Sequence, residues 1–129
     1  MTKQRLCIDI DNVIAQTDEV MRRVIHDFTG GRVQLDYAHV IDFDYHKCKD
    51  ANGCAITKEE WHAVHDLFSE PQNLWLLQPF EGVQDHLKAL GDKFVLHLAT
   101  SRLPKARRTT VEWLEAHKIP AHDLHFLRQ

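Results

Sequence analysis

The apolar residues of this chain follow two periods, one typical of strands and one typical of helices. Short apolar runs predict strands at residues 6–10, 93–99 and 124–127. Apolar residues three and four positions apart predict amphipathic helices at residues 18–28, 57–69, 81–90 and 104–117. A strand, a long and mainly helical insert, and then alternating helices and strands predict an α/β fold with a parallel sheet. Right-handed crossovers would bring the ends of the first two strands to one edge of that sheet.

Local signals support these boundaries. Thr57 with Glu60 three residues later is a capping box that opens a helix, and Gly91 stands just beyond a helix end. Residues 40–45 suggest a short extended piece within a segment that has no clear period. The predicted core includes Cys7 as a small buried apolar residue of the first strand. The helical faces predicted to be buried carry Val20, Met21, Val24, Ile25, Phe28, Trp61, Val64, Phe68, Ala106, Val111, Trp113 and Leu114.

Two aspartates stand at the end of the first predicted strand. Asp9 and Asp11 are two residues apart, so on a strand their side chains point the same way. They would point into the crevice beyond the strand ends, where open α/β sheets bind ligands. Two carboxylates suit a divalent cation, or a nucleophile paired with a proton donor. The structural alternative is a polar turn with an aspartate capping the next helix, which explains one aspartate better than two.

A second polar group follows the apolar run at residues 93–99. Thr100 and Ser101 carry hydroxyls that can donate to a phosphoryl oxygen, as can the backbone N–H groups that open the following helix. Arg102 is the basic residue nearest to the strand end, and arginine suits phosphate geometrically. The alternatives are a helix cap for the hydroxyls and a solvated helix face for the basic side chains.

These motifs carry a resemblance to a known family. The peptide Asp-Ile-Asp-Asn at residues 9–12 resembles the first signature of the haloacid dehalogenase (HAD) superfamily, whose members are mostly phosphatases. Residues 12–15 are similar to the branch that contains 5'-nucleotidases and deoxyribonucleotidases. The resemblance implies that Asp9 attacks phosphorus, that Asp11 is the general acid/base, and that both bind Mg²⁺, Asp11 through its backbone carbonyl.

The second polar group resembles the second HAD signature. The resemblance implies that Thr100 binds the phosphoryl group, with Ser101 and Arg102 beside it. No motif supplies the lysine and the further acidic residues that complete the family's site. These 129 residues would therefore form a C-terminally incomplete family domain that binds Mg²⁺ weakly.

The resemblance also implies a domain organisation. A Rossmann-like core of HAD type would consist of residues 1–15 and 81–129, and residues 16–80 would form a small helical cap inserted after the first strand. In the family such a cap closes over the substrate and excludes water. Aromatic and polar side chains of the insert are candidates for stacking on a nucleobase, namely Phe43, Tyr45, His46, Trp61 and Trp75.

Composition narrows the partners and the compartment. The net charge of −3 indicates no basic stripe for a nucleic-acid polymer, and no apolar segment is long enough to span a membrane. Three cysteines, an odd number, argue against a disulfide framework, so a cytoplasmic protein is expected.

An exposed edge on the first strand suggests a homodimer. An alternative is that the insert binds a structural zinc ion, although its cysteine spacing is wider than usual. The candidate ligands are His46, Cys48, Cys54, His62 and His65.

The resemblance, together with the paired aspartates, implies a Mg²⁺-dependent phosphatase. Its substrate would be a small phosphorylated metabolite, with a nucleotide as one candidate, and the reaction would pass through an aspartyl phosphate on Asp9. The alternative is a catalytically incomplete HAD-like domain that binds a ligand or a partner.

Overall fold

The computed structural model describes residues 2–128, and within that range it contains the three predicted strands as one parallel sheet. The strands are β1 (Gln4–Asp9), β2 (Phe94–Thr100) and β3 (Asp123–Phe126), in the spatial order β1-β2-β3. The α/β fold with a parallel sheet is therefore confirmed. β1 lies at an edge of the sheet, while self-association through that edge stays a prediction.

The helices follow the apolar periods closely. The α-helices are α1 (Asp18–Phe28), α2 (Lys58–Phe68), α3 (Pro71–Leu74), α4 (Val83–Gly91) and α5 (Arg107–Ala116), and short 3-10 turns occupy Tyr37–His39, Tyr45–Lys47 and Pro104–Ala106. The capping box is confirmed, because Thr57 Oγ1 accepts from the Glu60 N–H at 3.0 Å and Glu60 Oε1 accepts from the Thr57 N–H at 2.9 Å. No helix within residues 2–128 is long and apolar enough to cross a membrane.

The irregular segments differ from the expectation in two places. The extended piece expected at residues 40–45 is absent from the described chain, which instead enters the 3-10 turn at Tyr45–Lys47. The loop expected after Pro71 contains α3, for which proline at the first helical position is well suited.

The core lies on one face of the sheet. Leu96 and Leu98 of β2 are buried in the same apolar cluster as Leu87 of α4 and Trp113 of α5. This follows from the topology, since right-handed crossovers that advance in one direction across a sheet place their helices on the same face. The prediction that Cys7 is buried was wrong, because its side chain points to the opposite face, where it is exposed.

Two apolar residues of the helices also fall outside the predicted core. Phe28 is 40% exposed because it is the last residue of α1, just before the chain turns away. Val111 is 39% exposed because the buried stripe of α5 runs through Thr110, Trp113 and Leu114 instead.

A buried tryptophan connects the C-terminal helix to the insert. Trp113 is fully buried, and its Nε1 donates to the Leu77 carbonyl at 3.0 Å. The hydrogen bond joins α5 to the segment between α3 and α4. The division into a core and a cap at residues 16–80 stays a prediction.

We expect Trp113→Phe to lower the free energy of unfolding by about 1–3 kcal/mol, because a buried carbonyl loses its donor. Urea unfolding measures the change, and the expected signature is a lower midpoint with an unchanged slope. Trp75→Phe is the matched control, since Trp75 is 42% exposed and its substitution should change the stability by less than about 0.5 kcal/mol. Equal effects of the two variants would show that the Trp113–Leu77 hydrogen bond contributes nothing.

Candidate active site

An ion pair between a buried arginine and a partly exposed aspartate joins the two strand ends that carry the predicted motifs. Arg102 is 2% exposed, and its Nη2 and Nε lie 2.8 and 3.2 Å from Asp11 Oδ1. Its Nη1 donates to Thr110 Oγ1 of α5 at 2.9 Å. Thr17 Oγ1 adds a further hydrogen bond to Asp11 Oδ1 at 2.7 Å. The Asp11 carboxylate is therefore fixed by two donors. Arg102 lies just after β2, and Thr17 lies just before α1.

The turn after Asp11 is shaped by an asparagine. Asn12 has a φ of +61°, in the left-handed region that asparagine tolerates better than most residues. Its Oδ1 accepts from the Thr17 N–H at 3.2 Å and from the Asp18 N–H at 2.9 Å. Asn12 thus satisfies the first N–H group of α1 and that of the residue before it, and neither aspartate carboxylate caps the helix in the described chain.

Asp9 has a different environment. Its Oδ1 accepts from the Ile10 N–H at 2.8 Å, and within residues 2–128 it forms no ion pair. Burial raises the pKa of Asp9 above its usual value and the nearby Asp11 carboxylate raises it further, while the Ile10 N–H opposes the shift. The site therefore holds one carboxylate paired with a cation and one carboxylate without such a partner.

Both carboxylates open into one cavity of about 390 Å³. Ser101 and Arg102 line the same cavity, so the structure brings these two predicted phosphate-binding residues together with Asp9 and Asp11. Other side chains of the wall come from the insert and from the end of the chain, among them Asp44, Tyr45, Trp61, His65, Phe68 and Arg128.

Thr100 does not line the cavity. The residue is fully buried, and its Oγ1 accepts from the Arg102 N–H at 3.1 Å. Its carbonyl accepts from the Leu127 N–H at 2.9 Å, which ties the end of β2 to the residue after β3. In this arrangement the Thr100 hydroxyl shapes the loop that carries Ser101 and Arg102.

Arg128 and His65 of the cavity wall were not predicted to belong to this site, and His65 was named only within the zinc set. Arg128 follows β3, so the rule that parallel strands end at one edge would have placed it near the aspartates. His65 lies on α2, packs edge-on against Trp61 with ring centroids 5.3 Å apart, and has a buried Nδ1 without a hydrogen-bond partner in the described chain. Burial lowers the pKa of His65, which keeps its ring neutral at pH 7.

The remaining candidates are divided between the cavity wall and other surfaces. Lys105, a basic residue shortly after Arg102, forms ion pairs with Asp66 at 2.9 Å and Glu70 at 2.8 Å and does not line the cavity. Trp75 and His46 are also absent from the cavity wall, whereas Phe43, Tyr45 and Trp61 belong to it. Within residues 2–128 the cysteines and histidines of the insert do not converge as a set of metal ligands, which leaves the structural zinc alternative without support.

The oxygen atoms at the strand ends fit a hard divalent cation. Asp9 offers a carboxylate that lacks an ion-pair partner, and the Asp11 carbonyl accepts no hydrogen bond within residues 2–128. Mg²⁺ prefers such oxygen ligands and keeps several waters, so a site with few protein donors suits it. A cation there would also relieve the repulsion between the two carboxylates.

A larger cavity of about 760 Å³ adjoins the first and shares Asn12, Phe43 and Tyr45 with it. Its apolar wall includes Phe80, Tyr37 of the first 3-10 turn, and Val40 and Ile41 just after that turn. Phe43, which is 90% exposed, lines both cavities.

Comparison with solved structures identifies the fold. A HAD-superfamily hydrolase of subfamily IA from Geobacter sulfurreducens superimposes with a TM-score of 0.58 over 96% of this chain at 14% identity. A candidate phosphoglycolate phosphatase from Lactobacillus plantarum gives 0.62 over 97% at 15% identity. The candidate HAD hydrolase YfnB from Bacillus subtilis, whose structure contains magnesium, gives 0.54 over 96% at 10% identity.

The likeness is confined to part of each neighbour. This chain spans 62%, 62% and 65% of the lengths of those three proteins, respectively. Neither a protein-family model nor a curated protein sequence matches it. Residues 2–128 therefore share the α/β fold of HAD-superfamily hydrolases.

Proposed function

We propose that this chain carries the nucleophile and the acid/base of a HAD-type phosphohydrolase that acts on a small phosphorylated metabolite. The observation that supports the proposal most directly is the pair of carboxylates at one cavity. Asp9 has no ion-pair partner within the described residues and faces the cavity, while Asp11 is held by Arg102 and Thr17. Two carboxyl groups in different environments suit two different chemical roles.

Hydrolysis of a phosphate ester would use Asp9 and Asp11 in two successive steps. An oxygen of Asp9 attacks phosphorus, and a new P–O bond forms as the bond to the leaving oxygen breaks. Asp11 in its acid form gives its proton to that oxygen, so an alcohol leaves. Asp11 then takes a proton from water, whose oxygen attacks the phosphorus of the aspartyl phosphate. The Asp9–phosphorus bond breaks, phosphate leaves, and both carboxyl groups are restored.

Asp9 and the Asp11 carbonyl would hold the Mg²⁺ that we propose as cofactor, as the magnesium bound in YfnB also suggests. Bound there, the ion would neutralise the negative charge that phosphate brings to two carboxylates. The chain's own cations at the cavity, Arg102 and Arg128, would share that task.

A nucleotide is the substrate that we propose from the cavity wall. Phe43 is 90% exposed and lines the cavity that contains Asp9, whereas Tyr45 and Trp61, with ring centroids 5.2 Å apart, are largely buried in the same wall. Stacking of a base on an aromatic side chain contributes about 1–3 kcal/mol. The neutral ring of His65 adds a polar group beside these aromatic side chains.

We expect Asp9→Asn to abolish turnover while the protein stays folded, because an amide lacks the attacking carboxylate oxygen. Hydrolysis of p-nitrophenyl phosphate with Mg²⁺ measures turnover, and circular dichroism checks the fold. Asp27→Asn is the control, since the Asp27 side chain is 74% exposed on α1, and it should leave turnover unchanged. Equal turnover in Asp9→Asn and the unsubstituted chain would contradict the proposal, and a lack of turnover in both would favour a ligand-binding domain.

Arg102→Lys separates positioning of Asp11 from direct binding of phosphate. Lysine keeps the charge but loses the forked donor geometry, so a displaced Asp11 should lower kcat by about 10²-fold with little change in KM. Steady-state kinetics against p-nitrophenyl phosphate give both constants. A raised KM with an unchanged kcat would instead assign Arg102 to phosphate binding.

A double-mutant cycle measures the same pair without any need for activity. We expect Asp11→Asn and Arg102→Met to show a coupling free energy of about 1–3 kcal/mol in urea unfolding, because the two groups share a buried contact. The exposed pair Arg108–Glu112 is the control, with an expected coupling below about 0.5 kcal/mol. Equal coupling in the two cycles would show that burial adds nothing to the Asp11–Arg102 pair.

A further inference from the structure

We propose that the open face of the sheet carries a Zn²⁺ site formed by His97, Asp123 and His125. These residues belong to β2 and β3 and lie on the face opposite the helices. The site is separate from the Asp9–Asp11 cavity, whose wall includes none of the three.

Strand register brings the three side chains together. His97 is the direct partner of Asp123, so both side chains leave the sheet on the same face. His125 is two residues beyond Asp123 and faces the same way, opposite Ala99. Because Ala99 has only a methyl group, the His125 ring can lean across the ladder towards His97.

The ligand atoms are spaced for one metal ion. His97 Nδ1 and His125 Nε2 are 2.9 Å apart, His125 Nε2 and Asp123 Oδ2 are 3.7 Å apart, and all three atoms lie within 4.8 Å of one another. Zinc bonds to nitrogen and oxygen of about 2.0–2.2 Å place ligand atoms around a tetrahedral ion roughly 3–4 Å apart. The two rings are tilted by 16°, and a bound ion would require both to turn so that their nitrogens face one point.

The protonation pattern also favours a cation. Two ring nitrogens at 2.9 Å have room for only one hydrogen between them, so one of them already presents a lone pair. Asp123 adds a negative charge beside them. Imidazole nitrogens suit zinc, whereas Mg²⁺ and Ca²⁺ prefer oxygen, so the donor set selects a different ion from the one proposed at Asp9 and Asp11.

The bound ion would stabilise the pairing of β3 with β2. β3 has four residues at the sheet edge, and its contact with β2 is the pairing of residues 97–100 with 123–126. A ligand that binds the folded chain alone raises its stability in proportion to the logarithm of ligand concentration. Zinc should therefore raise Tm, and a chelator should reverse the change.

Titration calorimetry of the untagged chain with Zn²⁺ tests the proposal. We expect one saturable site, weakened at least about tenfold in His97→Ala and in His125→Ala, since even residues that only support metal ligands cost about 10–100-fold when removed. Asp123→Asn, which changes an exposed side chain, provides a variant that should fold normally and bind several-fold more weakly.

The controls separate this site from other zinc binding. His86→Ala removes an exposed histidine of α4, and Cys7→Ser removes the exposed thiol on β1, whose sulfur lies outside the ligand cluster. Asp9→Asn removes a ligand of the proposed Mg²⁺ site. All three should bind zinc like the unsubstituted chain. The proposal would be overturned if the His97, His125 and Asp123 variants bound zinc as tightly as the unsubstituted chain. Loss of zinc binding in a control variant alone would also overturn it.

Discussion

The buried contact between Arg102 and Asp11 is the constraint on which the site depends. It joins side chains 91 residues apart at the ends of neighbouring strands, and Thr110 and Thr17 hold the same pair from α5 and from the segment before α1. Removal of one partner from a partly buried pair is destabilising because it leaves the other charge unpaired, although an apolar replacement of both can be neutral. The pair is therefore better understood as a device that fixes where Asp11 points than as a source of stability.

The one-sided packing of the sheet determines what surrounds that pair. Helices α4 and α5 cover one face of the sheet and leave the other open. Polar and titratable side chains of β1, β2 and β3 can therefore lie next to one another on the open face. Parallel sheets are usually covered on both faces, and an apolar run in a strand therefore suggests burial on both sides. Cys7 was predicted to be buried for this reason, and its exposure reflects the direction of the crossovers rather than the strand's own composition.

The sequence predicted what depends on local periodicity and missed what depends on pairing between distant residues. Helix α1, the capping box at Thr57 and the strands themselves follow from residues within one or two turns of each other. Arg102 was singled out from the four basic residues after the second strand because it is nearest to the strand end. Its burial and its ion pair with Asp11, however, depend on a residue 91 positions away. The cluster around His97 depends on the register of β2 with β3, which a single strand pattern does not contain. Arg128 was predictable, because its position after a parallel strand already implies the correct edge.

Asn12 shows how one side chain can link backbone conformation, helix start and site geometry. Glycine at this position would adopt the φ of +61° at least as easily. Glycine, however, has no side-chain oxygen to accept from the N–H groups of Thr17 and Asp18. In the described chain the Thr17 hydroxyl makes no cap hydrogen bond to α1 and donates to Asp11. Asn12 therefore holds the backbone of the residue whose hydroxyl orients the second aspartate. The Asp-x-Asp-Asn peptide acts as a unit, with two carboxylates for chemistry and an amide that holds the loop carrying them.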